Sequence, residues 1–220
     1  MVSSQDIGLI AEPSDVEFDA NRGRAAVVRF ALPHRIGEGM TIWKIFVGGG
    51  GDDWFSHIVE TYHADYAKMN PAFACRYFSW TEGNAIRTLL NGEARGGHVA
   101  LVGHSYGGDT AFWVLRDVPN VDLLVSIDPV GRFQRSWAAI RADAAVWLNV
   151  RAEPSSANRS FDDTIAWAGR KYSRPPAKGQ PDAPNHGIVA NRTHGDFRGM
   201  MRDAIDGVSG RTLLGGHNVA

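Results

Sequence analysis

The chain has 220 residues, 44% of them hydrophobic, a size and composition that fill one core. Its formal net charge of -1 offers no basic field to nucleic acid and no polybasic face to an anionic membrane. A single cysteine, Cys75, excludes an internal disulfide framework and a cysteine-based zinc motif, and no apolar stretch approaches the ~18 residues needed for a transmembrane segment. Residues 1–15 carry neither a basic n-region nor an apolar h-region, so the expectation is a cytoplasmic protein or one exported by a leaderless route.

Alternating residues over 16–19 and 25–32 predict two strands, with Asn21-Arg22-Gly23 as the hairpin turn between them. Residues 41–47 (T-I-W-K-I-F-V) predict a third strand, which runs into the four glycines 48–51. Over 53–69, Trp54, Ile58, Tyr62 and Tyr66 recur every four residues with Phe55 and Val59 alongside, one apolar helical face. Residues 73–80 read as a buried strand and 82–91 as a short helix. A strand at 99–103, a helix at 109–117, a strand at 121–127, a helix at 133–141 and a strand at 145–150 follow. A short strand at 188–190 and an amphipathic helix over 197–208 close the chain. Strands separated by helices of about ten residues imply crossover connections, hence a mostly parallel sheet covered on both faces. The fold class is therefore α/β, mixed by the antiparallel hairpin at the front, in a single domain over 1–220.

One segment breaks the alternation. Residues 153–184 hold Pro154, Pro175, Pro176, Pro181 and Pro184 among many polar residues, and a loop that long inside a compact domain is a lid, a binding loop or disorder. Phe161, Ile165, Trp167 and Ala168 show partial helical spacing, as in a short amphipathic piece closing over a pocket. A lid-like cover and a disordered excursion both remain open. Such a cover would set which substrates enter the pocket and matter least for the shortest.

The densest signal is Val99 to Gly108, an apolar strand leading into Gly103-His104-Ser105-Tyr106-Gly107 and then directly into a helix. G-x-S-x-G between strand and helix is the pattern of a nucleophile elbow, where a sharp turn lifts the serine hydroxyl clear of the sheet. Small residues must flank that turn because neighbouring chain passes very close. Gly103 and Gly107 meet this need, and Gly108 lets the helix approach the sheet.

A serine hydroxyl needs an adjacent base, and the base a carboxylate to orient it. Both should lie just after later strands, at the carboxyl edge of a parallel sheet. Asp128 follows strand 121–127 directly and precedes Pro129, so it is the expected acid, although Asp-Pro also starts ordinary turns. Glu153, Asp162 and Asp163 are its rivals. Among eight histidines, His34, His57, His63, His98 and His217 fall in the wrong places. His104 should point from the elbow into packing, and His186 precedes its strand and belongs to the cover or the pocket rim. His194, between the last strand and the last helix, is the expected base. The oxyanion would rest on the Tyr106 main-chain N–H and on one from the glycine run, Gly49 or Gly50. That run lacks the lysine and hydroxyl of a phosphate loop, and Asp52 and Asp53 would repel phosphate.

With these residues in order, the chain resembles the α/β-hydrolase superfamily, and within it lipase- and esterase-like serine hydrolases, over roughly residues 15–210. Ser105, Asp128 and His194 stand in the superfamily's nucleophile–acid–base order. Ile127-Asp128-Pro129 is similar to the L-D-P segment of lipases whose acid follows the sixth strand. One departure concerns the oxyanion loop, where Val47 stands in place of the frequent His-Gly. The resemblance implies an α/β-hydrolase fold and hydrolysis of a small-molecule or lipid ester through an acyl-enzyme, with no metal or organic cofactor. Other acyl-transfer activities (thioesterase, peptidase, acyltransferase) and a non-catalytic binding protein are the alternatives, because this fold hosts all of them. Trp54 and Trp80 are the aromatic residues expected nearest the pocket.

Overall fold

The computed structural model describes residues 40–52, 57–118 and 121–217. Among these, six strands make one parallel sheet in the order β2-β1-β3-β4-β5-β6. They are β1 (Ile42–Val47), β2 (Ala74–Phe78), β3 (His98–His104), β4 (Val121–Ile127), β5 (Ala144–Ala152) and β6 (His186–Ala190). The crossovers carry α1 (Ile58–Met69), α2 (Gly83–Asn91), α3 (Tyr106–Leu115), α4 (Trp137–Asp143) and α5 (Phe161–Ala168). A C-terminal unit follows, made of α6 (Phe197–Arg202), the two-residue strands β7 (Ala204–Ile205) and β8 (Val208–Ser209), and α7 (Gly210–Leu214). No described helix is long and apolar enough to cross a membrane.

Helices cover both faces, so the inner strands are apolar on both sides rather than alternating with polar residues. Ile45, Leu101 and Leu124 join Ile86, Phe112 and Leu115 of α2 and α3 in one core layer, which also holds Trp147. Phe46, Val102 and Val125 join Tyr62, Tyr66 and Phe197 in the other. Full burial of each such side chain contributes about 1.5–3 kcal/mol relative to exposure.

The chain leaves β1 outward to β2, then returns past β1 to β3 and continues the other way. Between β1 and β3 the direction of winding reverses, and the connections splay apart at the carboxyl edge. A crevice opens there in any sheet of this topology.

Several sequence-derived elements shift. The hairpin expected over 16–32 lies outside the described residues, and the antiparallel pair that is described, β7–β8, stands at the opposite end of the chain. The helix read over 53–69 begins at Ile58, where the Asp52 carboxylate accepts the Val59 and Glu60 main-chain N–H groups (2.9 and 3.1 Å). Trp54 and Phe55 are outside the described residues. Strand 73–80 is not a buried strand: β2 is outermost among the described strands and half-buried along its length. The helix expected over 133–141 starts four residues later, because Asp109 Oδ2 accepts the Arg132 and Phe133 main-chain N–H groups (2.7 and 3.0 Å) and holds them as loop. The closing helix of 197–208 ends at Arg202. Asp206 and Gly207 take positive φ (52° and 76°) and fold the chain back as a tight β-hairpin turn.

The segment 153–184 contains the helix its spacing suggested. α5 carries a capping box in which Ser160 and Asp163 satisfy each other's main-chain amides.

Candidate active site

Ser105 stands between β3 and α3 with φ 55° and ψ −127°, a conformation that costs a non-glycine residue on the order of 1–3 kcal/mol. The surroundings impose it. Ser105 N–H donates to the Ile127 carbonyl (3.1 Å), and the Ser105 carbonyl accepts from the N–H groups of Gly108 (2.9 Å) and Val130 (3.0 Å). A Cβ on Gly103 would lie 2.5 Å from the Gly107 carbonyl oxygen, and one on Gly107 would lie 2.6 Å from that of Gly48. Only glycine fits at either position, and the turn is thereby fixed.

Asp128 follows β4, also at positive φ (41°), with its N–H on the Val150 carbonyl of β5 (2.6 Å). It is fully buried. His194 lies in the loop between β6 and α6. Its Nε2 accepts from Ser105 Oγ (2.9 Å), and its Nδ1–H donates to Asp128 Oδ2 (2.7 Å), the tautomer that this network requires. The structure thus brings together Ser105, Asp128 and His194 across three different strand ends.

Burial pushes the Asp128 carboxyl up, but the hydrogen bond and charge of His194, together with the Lys171 ammonium, outweigh it and hold the group below the ordinary carboxylate value. Asp128 therefore stays ionised. Its Oδ1 accepts the Ala152 N–H (2.9 Å) and pairs with Lys171 Nζ (2.7 Å).

The rival acids do other work. Glu153 is paired with Arg151 and Arg174, away from the imidazole. Asp163 touches His194 through the main chain, its Oδ1 accepting the His194 N–H at 2.8 Å. Asp162 packs against Gly195, whose added Cβ would meet Asp162 Oδ2 at 2.5 Å.

Two histidines depart from expectation. His186 is the first residue of β6, paired in register with Leu148, and is not in the pocket wall. His104 is buried, as expected for packing, but its Nε2–H donates to the His194 carbonyl (2.9 Å). Burial, with His194 beside it, drives its pKa down to about 4, which keeps the ring neutral.

Above Ser105 a cavity of about 350 Å³ is walled by Gly49, Gly50, Trp80, Tyr106, Ile165 and His194. Gly49 abuts the serine: a Cβ there would lie 2.7 Å from that of Ser105. Trp80 and Tyr106 face each other with ring centroids 5.2 Å apart. A larger cavity of about 630 Å³, between Arg151, Arg159, Trp167 and Lys171, does not include Ser105 or His194; both line the smaller one.

Sequence reading held Asp163 as a rival acid and His104 as a packing residue and foresaw neither on the His194 main chain, and it missed Lys171. Only Asp163 had a signal, the Ser160-x-x-Asp163 spacing of a helix start. That pattern announces the cap and not the second carboxylate oxygen that reaches His194.

Taken together, a parallel sheet that reverses its winding beside a serine elbow, with an acid after the next strand and a histidine after the last, is an α/β-hydrolase fold. The chain is similar to a protein from Xanthomonas campestris pv. campestris assigned to the hydrolases of the alpha/beta superfamily, with 18% identity over 69% of this chain and 87% of that one, TM-score 0.43. It is also similar to the esterase domain of a Rhodothermus marinus protein, with 13% identity over 70% of this chain and 77% of that one, TM-score 0.44. No protein-family model and no curated protein matches the chain.

Proposed function

We propose that this protein is a serine hydrolase that cleaves carboxylic esters through an acyl-enzyme. One observation carries the reading: the unbroken hydrogen-bond chain Ser105 Oγ–His194–Asp128, buried at the floor of a cavity of about 350 Å³. Such an arrangement removes a proton from a hydroxyl near neutral pH and returns it to a leaving group.

In the first half-reaction His194 Nε2 takes the Ser105 proton as Oγ attacks the ester carbonyl. The tetrahedral oxyanion is held by the main-chain N–H of Tyr106 and that of Gly49 or Gly50. Asp128 keeps the imidazole in the right tautomer and balances its charge. Collapse expels the alkoxide, which leaves as the alcohol with the proton from His194. Water then attacks the acyl-Ser105, activated by the same imidazole, and the carboxylic acid departs. This chemistry needs no metal or organic cofactor.

The segment 153–184 acts as a cover. Ile165 of α5 forms part of the cavity wall, while Phe161 and Trp167 are 76% and 78% exposed. The substrate is a small-molecule or lipid ester able to reach a mostly apolar chamber.

Hydrolysis of p-nitrophenyl esters of graded acyl length, with fluorophosphonate labelling, tests the proposal. Ser105→Ala should fold, lose labelling and lose hydrolysis. Asp128→Asn should lower kcat by about 10³- to 10⁴-fold, the scale expected when the tautomer is wrong, and Glu153→Gln should stay within about twofold. Labelling that survives Ser105→Ala, or a larger loss in Glu153→Gln than in Asp128→Asn, overturns the assignment.

A further inference from the structure

We infer that Lys171 is a positioning residue for the triad acid: it fixes Asp128 Oδ1 and shares the carboxylate's charge with His194. This rests on the serine-hydrolase reading of the same site.

The ammonium is built in. Lys171 Nζ lies 2.7 Å from Asp128 Oδ1 and 2.7 Å from the Ala152 carbonyl oxygen, with the lysine side chain 15% exposed and the aspartate not at all. Its backbone is tied to the loop that follows Asp128. Lys171 bridges Val130, Gly131 N–H donates to the Arg170 carbonyl (3.1 Å), and Tyr172 N–H donates to the Pro129 carbonyl (3.1 Å). The lysine thus arrives with its stem anchored on both sides, unlike a solvated surface ion pair.

The charge arithmetic gives the direction. With neutral His194, the Lys171–Asp128 pair sums to zero and no net charge is buried. When His194 accepts the serine proton the cluster becomes +1, whereas without Lys171 it would go from −1 to zero. Lys171 therefore shares with an imidazolium the charge of the Asp128 carboxylate, and a neutral residue in its place should leave more of that charge to His194. The other charged and titratable groups facing the cluster are His104 of β3, neutral through its burial, Asp162 and Asp163 of α5, the latter on the His194 N–H, Asp52 after β1, and Arg151 of β5, held by Glu153 and the Tyr172 carbonyl.

The test compares pH profiles of kcat/KM for wild type, Lys171→Gln, Lys171→Met and Lys171→Arg. Loss of the charge should move the acid limb up by about one pH unit, consistent with a unit charge two hydrogen bonds away in a partly buried site. Lys171→Arg should restore the wild-type limb. A uniform fall in rate with the limb unmoved in whichever neutral variant folds, Gln or Met, means the lysine only pins the loop, and the inference fails. NMR titration of the His194 ring, read at its downfield Nδ1 proton, reports the same shift without turnover. If wild type neither hydrolyses esters nor takes up fluorophosphonate, the proposed function fails, and the titration still decides the role of Lys171.

Discussion

His104 and His194 lie ring against ring, centroids 4.9 Å apart, and the first holds the main chain of the second through its Nε2–H. His194 is thus fixed at three points: its Nδ1 by Asp128, its N–H by Asp163 and its carbonyl by His104. These contacts hold the imidazole in the rotamer that reaches Ser105. This restraint belongs to positioning, and its energetic cost appears in the response to acid.

Because the His104 pKa falls from 6.5 to about 4 on folding, the unfolded chain binds more protons between those values. Stability from this residue is complete above pH 6.5, falls as pH drops through the window, and is lost by up to about 3 kcal/mol below pH 4. Tm measured at pH 7.5 and at pH 5 should therefore drop less for His104→Gln than for wild type. The same variant should lower kcat about tenfold with little change in KM, since the substrate does not bind the His194 carbonyl. Equal Tm losses in both proteins would remove His104 as the source.

The segment 153–184 supports a different prediction from the one the sequence suggested. Asp163 and Lys171 stand at the two ends of α5 and hold His194 and Asp128. Replacing 153–184 by a Gly/Ser linker should therefore abolish hydrolysis of every ester, the shortest included, rather than reshape chain-length preference. Preference should instead follow Ile165. Ile165→Ala should raise kcat/KM several-fold for longer acyl chains, while Trp167→Ala, outside that cavity, should stay within about twofold. Retained short-ester activity in the linker variant would show that the segment does not position the triad.

Lys44 of β1 provides a stability test away from the site. It is 3% exposed, with its ammonium 5.1 Å from the Phe73 ring. Burial lowers its pKa to about 8, only partly countered by Cys75 and Asp122. The cost of that burial is fully present below pH 8, shrinks between 8 and 10.5, and vanishes above. Lys44→Met should therefore stabilise the protein at pH 7 by roughly 1–3 kcal/mol, the lost contact with Phe73 offsetting part of the gain, and the benefit should fade above pH 10 in denaturant titrations.

Much of this was legible in the chain itself. The apolar run before Gly103, the small residues about Ser105 and the Asp-Pro step after 121–127 are local features. So the meeting of Ser105, Asp128 and His194 could be anticipated from strand ends alone. Errors came where distant side chains decide local structure. Asp109, reaching across from α3, delays α4 by taking the Arg132 and Phe133 amides. The early end of α6 is an oversight of turn chemistry, since Asp206-Gly207 is a strong hairpin signal inside an apparently helical period. Lys171 had no legible signal, because its role exists only once the return from α5 pairs with Val130.

The separations along the chain carry a last consequence. Asp128 is 24 residues from Ala152 and 66 from His194, and Ser105 is 89 from His194. Contacts that distant form late, after local helices and hairpins. A growing chain folds from its N-terminal side, so Ser105 leaves the ribosome long before the imidazole of His194. The Ser105–His194–Asp128 hydrogen-bond chain therefore cannot close until the segment that follows β6 reaches the sheet edge.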